Sequence, residues 1–189
     1  MPPVFQYGSN CDEPRLNAPE RLAGDALCLG RAETVDEYEI AFDVWSQTNA
    51  CAASDLVPVA GSNRRSWGVL YEIPAGLIQG RRSDGRKTLA QIEGNRYEER
   101  PIRVRKADGE ELDVMTFLVR PEEQRHGLWT SFDYVRHIVN GLRAHDVPED
   151  YVQRVIDIAI QTNNRATQTA TEYVRLMERL LEVDQPPRL

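Results

Sequence analysis

Near its start the chain reads Val4-Phe5-Gln6-Tyr7-Gly8-Ser9-Asn10, an apolar run that breaks into small and polar residues. The run predicts a β-strand. The break predicts a tight loop, because Gly8 permits backbone angles closed to other residues and Ser9 and Asn10 favour turns. A loop with outward-pointing N–H groups can bind a carboxylate or stabilise an oxyanion. The tripeptide recurs at Gly61-Ser62-Asn63, so by itself the motif favours a simple strand-ending turn.

Length and charge narrow the class of protein. The chain has 189 residues and a formal net charge of −7. This length suits one domain with a sizeable core and at most an appendage. The acidic balance argues against a general nucleic-acid-binding protein, and no apolar stretch is long enough to span a bilayer. With no signal-peptide pattern, we expect a cytoplasmic protein. Cys11, Cys28 and Cys51 follow no metal-ligand spacing, which predicts reduced thiols.

Alternating apolar residues predict strands in the middle of the chain. Residues 37–45 and 66–73 each place apolar side chains on one face, which is typical of a half-buried strand. Residues 56–60 predict a further short strand, and Pro58 places it at a sheet edge or a bulge.

A hairpin follows in the next third of the sequence. Residues 96–106 and 112–119 alternate and flank Ala107-Asp108-Gly109-Glu110. Asp-Gly between two alternating segments is a strong hairpin signal. We therefore expect a largely antiparallel sheet of about five or six strands.

The segments between the strands have turn-forming composition. Residues 14–26 predict a loop with a short helical turn. Residues 79–87 contain two glycines and four positive charges, which predicts a mobile loop whose charges are mostly solvated. Beside a site, such a loop would attract an acidic substrate. Leu89 and Ile92 predict a helical turn that ends at Gly94.

The last third of the chain carries apolar residues at helical spacing in three segments. The first runs from Ser131 to His145, with Thr130 or Ser131 as a suitable N-cap. The second begins at Pro148 and is interrupted at Asn163-Asn164. The third begins at Ala170. We therefore predict one domain over residues 1–163 and a helical extension over residues 164–189.

Several catalytic patterns are absent from the sequence. It has no phosphate-binding glycine loop, no nucleophile elbow and no pair of cysteines spaced for zinc. The histidines are His126, His137 and His145. The last two lie two helical turns apart, about 12 Å, which is too far to share a metal ion without other ligands. We expect solvated or capping roles for all three.

One carboxylate is better placed for chemistry. Glu93 stands between Ile92 and Gly94, at the end of the short helical turn and just before a strand that begins near Tyr97. Partial burial at such a junction would raise its pKa and suit it to transfer protons near neutral pH. Because the chain has 30 acidic residues, this position alone is weak evidence.

The motifs taken together resemble the γ-glutamylcyclotransferase family, which includes AIG2-like proteins. Their order and spacing carry the resemblance, which runs over about residues 4–161. The matching motifs are Tyr7-Gly8-Ser9-Asn10 after an apolar strand, Trp67-Gly68-Val69-Leu70-Tyr71, Glu93-Gly94, Tyr97, and Tyr134 fourteen residues before Pro148.

The resemblance implies an α+β fold, a small mixed and mainly antiparallel β-barrel packed with helices, to which this chain adds a C-terminal helix. It also implies a reaction without metal or organic cofactor. In that reaction the α-amino group of a small γ-glutamyl substrate attacks its own side-chain amide carbonyl, giving 5-oxoproline and a free amine or amino acid. Ring closure is intramolecular, so the enzyme mainly holds the folded conformer and moves one proton.

The resemblance also implies the residues of the site. Glu93 would be the general base that passes the proton to the leaving nitrogen. Tyr134 would contact the substrate, and Tyr97 would lie close to Glu93. The loop that holds the glutamyl group and the oxyanion would be formed by Val4, Phe5, Gln6, Tyr7, Gly8, Ser9, Asn10 and Cys11.

Departures from the family pattern leave the leaving group open. Cys11 stands where a larger apolar residue is common, Leu89-Ala90-Gln91-Ile92 replaces a frequent Leu-Asp, and the loop at residues 79–87 resembles an insertion. One alternative is therefore a cyclotransferase for γ-glutamylamines, or an enzyme that removes a γ-glutamyl protecting group in biosynthesis. An alternative of another class is a non-catalytic module that binds a small ligand or partner. The apolar stripe of the last helix either covers the barrel or forms a homodimer contact.

Overall fold

The structure, a computed structural model, describes residues 3–80, 82–166 and 179. Short 3-10 turns lie at Ser9–Cys11, Ala75–Leu77 and Pro121–Glu123. Within the described residues the strands are β1 (Val4–Gln6), β2 (Leu27–Thr34), β3 (Tyr38–Ser46), β4 (Cys51–Pro58), β5 (Trp67–Glu72), β6 (Tyr97–Lys106) and β7 (Glu111–Val119). The helices are α1 (Glu13–Leu16), α2 (Leu89–Glu93), α3 (Phe132–Ala144) and α4 (Glu149–Arg165).

Five strands form a closed barrel in the order β1-β5-β2-β6-β7. Neighbouring strands are antiparallel, with Phe5 opposite Leu70 for example. The barrel closes through a parallel contact of β1 with β7, where Val4 lies opposite Met115. Strands β3 and β4 pair separately as a two-stranded antiparallel sheet. The expected α+β barrel is confirmed, with seven described strands in two sheets rather than five or six in one.

The buried residues form two clusters, one that includes the helices and one inside the barrel, and strand β5 lies between them. Val69, Tyr71 and Ile73 are buried in the cluster that also contains the helices, as the alternation predicts. Leu70 faces the other way and packs with Phe5 in the cluster that fills the barrel. The barrel interior is thus a packed core, and a ligand site must lie outside it.

Two strands differ from the prediction. Strand β2 was missed, because its buried positions include the small residues Ala32 and Thr34, Leu27 is exposed, and the register shifts at a bulge between Cys28 and Gly30. Strand β4 begins at Cys51 rather than at residue 56. Its residues are buried on both faces as far as Leu56, so no alternation marks it.

The hairpin and the helices follow the sequence patterns more closely. Strands β6 and β7 pair around a turn where Gly109 has a φ of 90°. The Ser131 hydroxyl caps α3 by accepting the backbone N–H of Tyr134. Helix α4 continues through Asn163, which was expected to interrupt it. The Asn163 side chain is buried and bonds the backbone N–H and carbonyl of Thr130.

Two further predictions concern the last apolar stripe and membrane-spanning segments. The third apolar stripe, from Ala170 onward, lies almost wholly outside the described residues. No helix among the described residues has the length and apolar character needed to cross a bilayer.

Candidate active site

A small pocket opens where β1 ends. The elements that meet there are the end of β1, the turn that follows it, β4, the end of α2, the start of β6, β7 and the first turn of α3. We call residues 8–11 the pocket loop. The pocket is lined by Gln6, Tyr7, Gly8, Ser9, Asn10, Ser54, Glu93, Tyr97, Phe117 and Tyr134.

Close packing fixes the pocket loop. The Cys11 N–H donates to the Gly8 carbonyl at 2.9 Å, which closes the turn. A Cβ atom at Gly8 would lie 2.3 Å from Ser54 Oγ, so a side chain there would collide with β4. Helix α3 presses on the other side of the loop, because a Cβ atom at Gly141 would lie 2.2 Å from the carbonyl carbon of Cys11. The loop can approach both elements only because these two residues are glycines.

Glu93 is held at the end of α2. A capping box, in which Thr88 and Gln91 bond each other's backbone, fixes the start of this short helix, and Gly94 ends it with a φ of 88°. The half-buried carboxylate of Glu93 accepts a hydrogen bond from Asn10 Nδ2 at 2.9 Å. This bond ties the acid to the pocket loop. In the structure the pocket loop and Glu93 thus line the same pocket.

Arg21 orients the amide of Asn10. Arg21 Nη2 donates to Asn10 Oδ1 at 2.7 Å, and Arg21 Nη1 donates to the backbone carbonyl of Arg15. With its oxygen occupied by Arg21, the Asn10 side chain presents its NH₂ group to Glu93. Burial lowers the pKa of Arg21 to about 10, so its guanidinium stays charged at neutral pH.

The environment of Glu93 raises its pKa. Burial disfavours the charged carboxylate and is the largest influence, while the Asn10 hydrogen bond, the positive charge of Arg21 and the Gln6 side chain oppose it. The net shift is upward. A carboxyl group with a raised pKa exchanges a proton near neutral pH more readily than an ordinary glutamate, as a general acid–base group must.

Gln6 brings a polar group that the protein satisfies only in part. Its side chain lines the pocket and is only 5% exposed. Its Nε2 atom is buried, makes no hydrogen bond of good geometry, and lies close enough to the Glu93 carboxylate to lower the pKa of that acid. An amide NH₂ group carries two N–H donors, so this atom can also bind a ligand oxygen.

Ser54 of β4 holds two tyrosines at the pocket. The Tyr97 hydroxyl donates to the Ser54 carbonyl at 2.8 Å, and the Ser54 N–H donates to the Tyr134 hydroxyl oxygen at 3.0 Å. Ser54 Oγ lies 3.0 Å from the same hydroxyl. Burial raises the pKa of both tyrosines. Both hydroxyls therefore stay protonated at neutral pH and can donate hydrogen bonds.

The structure brings most of the predicted residues together but leaves three outside the pocket lining. Gln6, Tyr7, Gly8, Ser9, Asn10, Glu93, Tyr97 and Tyr134 line it. Val4 and Phe5 do not, because successive strand residues point to opposite faces and both are fully buried in the two core clusters. Cys11 is fully buried, and its thiol donates to the Gln6 carbonyl at 2.9 Å. Val4 and Phe5 therefore belong to the core, and the Cys11 thiol fastens the pocket loop to the end of β1.

No sequence pattern marked Ser54, Phe117 or Arg21 as residues of the site. Ser54 lies in the part of β4 that was not predicted, among small residues without alternation. Phe117 lies in the alternating segment 112–119, a pattern that fits its burial but gives no hint of the pocket. Arg21 lies in an irregular segment where no sequence pattern marks one arginine above another.

The loop at residues 79–87 forms ion pairs of its own, and the three cysteines form no disulfide. Arg82 and Arg86 both pair with Asp84, so part of the positive charge of residues 79–87 is neutralised within the loop. Cys11, Cys28 and Cys51 are free, as expected.

Comparison with known proteins supports the same fold and family. The sequence model of the AIG2-like family matches residues 65–155. A solved structure described as gamma-glutamyl cyclotransferase is 18% identical and aligns over 94% of this chain and 98% of its own, with a TM-score of 0.68. An uncharacterised human protein aligns with the same identity, shares of each chain and TM-score.

A third structure, YkqA from Bacillus subtilis, is 22% identical and has a TM-score of 0.62. The match covers 83% of this chain and 53% of YkqA. No curated protein sequence matches the chain significantly. The chain thus matches the AIG2-like family model over residues 65–155, and its fold resembles that of the solved structure described as gamma-glutamyl cyclotransferase.

Proposed function

We propose that the protein is a γ-glutamylcyclotransferase-type enzyme, which converts a γ-glutamyl amino acid or γ-glutamylamine to 5-oxoproline and the free amine. One observation carries the proposal. The carboxylate of Glu93 lies in the pocket formed by the loop at residues 8–11 and accepts a hydrogen bond from Asn10 at 2.9 Å. The AIG2-like match and the fold of the solved relatives support the same reaction class.

In the proposed reaction Glu93 handles one proton. The α-amino nitrogen of the substrate attacks the side-chain amide carbon and forms the new C–N bond, while the Glu93 carboxylate takes a proton from that nitrogen. The tetrahedral intermediate then collapses, the original amide C–N bond breaks, and Glu93 returns the proton to the leaving nitrogen. Base and acid are the same group, so a pKa raised by burial serves both steps.

The other pocket groups suit recognition of the glutamyl part. Gln6 Nε2 is a buried donor without a hydrogen bond of good geometry, and a substrate carboxylate or carbonyl oxygen would satisfy it. The hydroxyl of Tyr134 lies near the pocket loop, 3.7 Å from the position of a Cβ atom at Gly8. These donors would hold the folded substrate in which amine and carbonyl meet.

The experiment is to incubate the purified protein with a panel of γ-glutamyl amino acids and γ-glutamylamines and to measure 5-oxoproline. The panel also separates amino-acid from amine leaving groups. We expect Glu93→Gln to fold normally and to lose activity by a factor of about 10²–10⁴ or more, since it removes the acid–base group.

Glu98→Gln is the matched control. Glu98 lies five residues away and forms surface ion pairs with Arg100 and Arg120, and losing such pairs has little effect. Full activity of Glu93→Gln would overturn the catalytic assignment. Tight binding of γ-glutamyl compounds without any 5-oxoproline would instead favour the non-catalytic binding module.

A further inference from the structure

Three side chains of the types that ligate metal ions lie close together outside the pocket lining. They are Glu13, the first residue of α1, Cys28 of β2, and His145, which caps the end of α3. One ligand atom from each lies within 4.8 Å of the other two. The three residues are far apart in the sequence, so only the tertiary structure brings them together.

Their spacing suits a tetrahedral zinc ion. His145 Nδ1 lies 3.5 Å from Cys28 Sγ. In a tetrahedral site with Zn–S of about 2.3 Å and Zn–N of about 2.0–2.1 Å, the sulfur and nitrogen atoms lie about 3.6 Å apart. A carboxylate oxygen, a thiolate and an imidazole are all ligands that zinc accepts.

The surroundings hold two of these ligands in place. The Gly30 N–H points to Cys28 Sγ at 3.4 Å. The His145 ring packs edge-on against Tyr71 at a centroid distance of 6.5 Å. This packing turns His145 Nδ1 toward Cys28 Sγ, which lies 3.5 Å away.

We propose that Glu13, Cys28 and His145 bind a zinc ion, with water completing the coordination. All three residues are half-buried, which gives a metal ion access from solvent. The site would join α1, which directly follows the pocket loop, to β2 and to the end of α3 opposite Tyr134. It is independent of the proposed cyclotransferase activity, because none of its residues lines the pocket.

The test is titration of the metal-free full-length protein with Co²⁺, a spectroscopic substitute for zinc, and separately with Zn²⁺ by calorimetry. We expect one equivalent per chain and a thiolate-to-cobalt charge-transfer band that Cys28→Ser abolishes. Glu13→Gln and His145→Gln should weaken zinc binding by a factor of about ten or more. Glu20→Gln and His126→Gln change exposed residues of the same types and should bind like the parent.

Binding should tighten as pH rises, because zinc binds the deprotonated thiolate and imidazole and so displaces protons. The variants are checked for folding by circular dichroism, and Cys28→Ser changes one atom only. Three results would overturn the proposal: no stoichiometric binding by the folded parent, a charge-transfer band that persists in Cys28→Ser, or equal zinc affinity in the ligand variants and their controls.

Discussion

The polar chain from Arg21 through Asn10 to Glu93 controls the protonation of the acid. Arg21 donates to the amide oxygen of Asn10, and Asn10 donates to the Glu93 carboxylate. An amide has one oxygen and one NH₂ group, so the first bond decides which end faces Glu93. Both the Asn10 bond and the Arg21 charge counteract the rise that burial causes in the pKa of Glu93.

Replacing Asn10 should therefore change the pH dependence of the proposed reaction. Asn10→Ala removes a hydrogen bond to the charged form, so the pKa of Glu93 rises further and less of the base form is present at neutral pH. We expect the acid limb of kcat/KM against pH to move to higher pH. The rate at pH 7 should fall roughly tenfold or more, since a hydrogen bond to a charged group contributes about 1.5–3 kcal/mol.

Asn95→Ala is the control for this variant. Asn95 lies two residues beyond Glu93 in the sequence and is exposed to solvent. Its pH profile should match that of the parent. An unshifted acid limb in a folded Asn10→Ala protein would show that the Asn10 amide does not favour the charged form of Glu93.

At the scale of elements, the contact of α3 with the pocket loop sets the geometry of the site. Gly141 lies in the last turn of α3, and a Cβ atom there would come within 2.3 Å of the Asp12 backbone nitrogen. Backbone atoms cannot rotate away as a side chain can. The loop and the helix must therefore separate if Gly141 gains a side chain.

Gly141→Ala should consequently destabilise the protein and reduce activity. Alanine is favoured over glycine within a helix by about 1 kcal/mol, so without this contact the variant would be more stable. We instead expect a loss of about 1–3 kcal/mol or more in the free energy of unfolding, the range for overpacking. Urea denaturation measures it.

Gly76→Ala serves as the comparison, because a Cβ atom there meets nothing within 4 Å. It should leave stability nearly unchanged. If Gly141→Ala were as stable as Gly76→Ala, the close contact of α3 with the pocket loop would be refuted.

At the scale of the whole molecule, two acids lie where the β3–β4 sheet joins the barrel. Asp55 accepts the Val119 N–H of β7 at 2.9 Å and the Gln124 side chain at 2.9 Å. Asp43 of β3 lies close enough for Asp55 to affect its titration, and its Oδ1 atom is buried without a hydrogen-bond partner. Burial first, and the nearby Asp55 second, raise the pKa of Asp43 to about 7.

This shift predicts how stability depends on pH. The folded state binds the Asp43 proton more tightly than the unfolded chain, whose carboxyl has the ordinary pKa of 3.8. The stabilisation by neutral Asp43 is therefore complete below that value and is lost as pH rises through about 7. Asp43→Asn should be more stable than the parent at pH 8 by roughly 1–2 kcal/mol, a value reduced for partial solvent exposure.

Thermal unfolding at pH 5 and pH 8 checks this prediction. The advantage of Asp43→Asn should be larger at pH 8. The control Asp113→Asn changes an acid whose side chain is 78% exposed and should show no such difference. An advantage that does not grow with pH would contradict the protonation of Asp43 in the folded state.

Local patterns predicted a large part of the fold. Large apolar residues alternate along β5 because Val69 and Tyr71 pack on the helices, whereas the opposite face carries only Leu70 and then the exposed Glu72. Asp108-Gly109 supplies the backbone angles of the hairpin turn. Ser131 caps α3 through its own side chain. These features depend on residues adjacent in the sequence, and the pattern is therefore visible without the fold.

Strands β2 and β4 had no such pattern. Ala32 is small, Leu27 is exposed, and β4 is buried on both faces as far as Leu56. What these strands bury was decided by the barrel and the second sheet around them. The alternation rule fails for such strands because it requires one wet face and one dry face.

By itself the sequence determined the strand–loop start at Val4 to Asn10, the hairpin and the capped helices, and it marked Glu93 through its family-like spacing. Only the tertiary structure decided that Asn10 donates to Glu93, that Ser54 holds both pocket tyrosines, and that Val4, Phe5 and Cys11 are buried outside the pocket lining. The reason is physical: turns, caps and alternation arise between neighbours in the chain, whereas burial and contacts between distant residues arise only when the chain has packed.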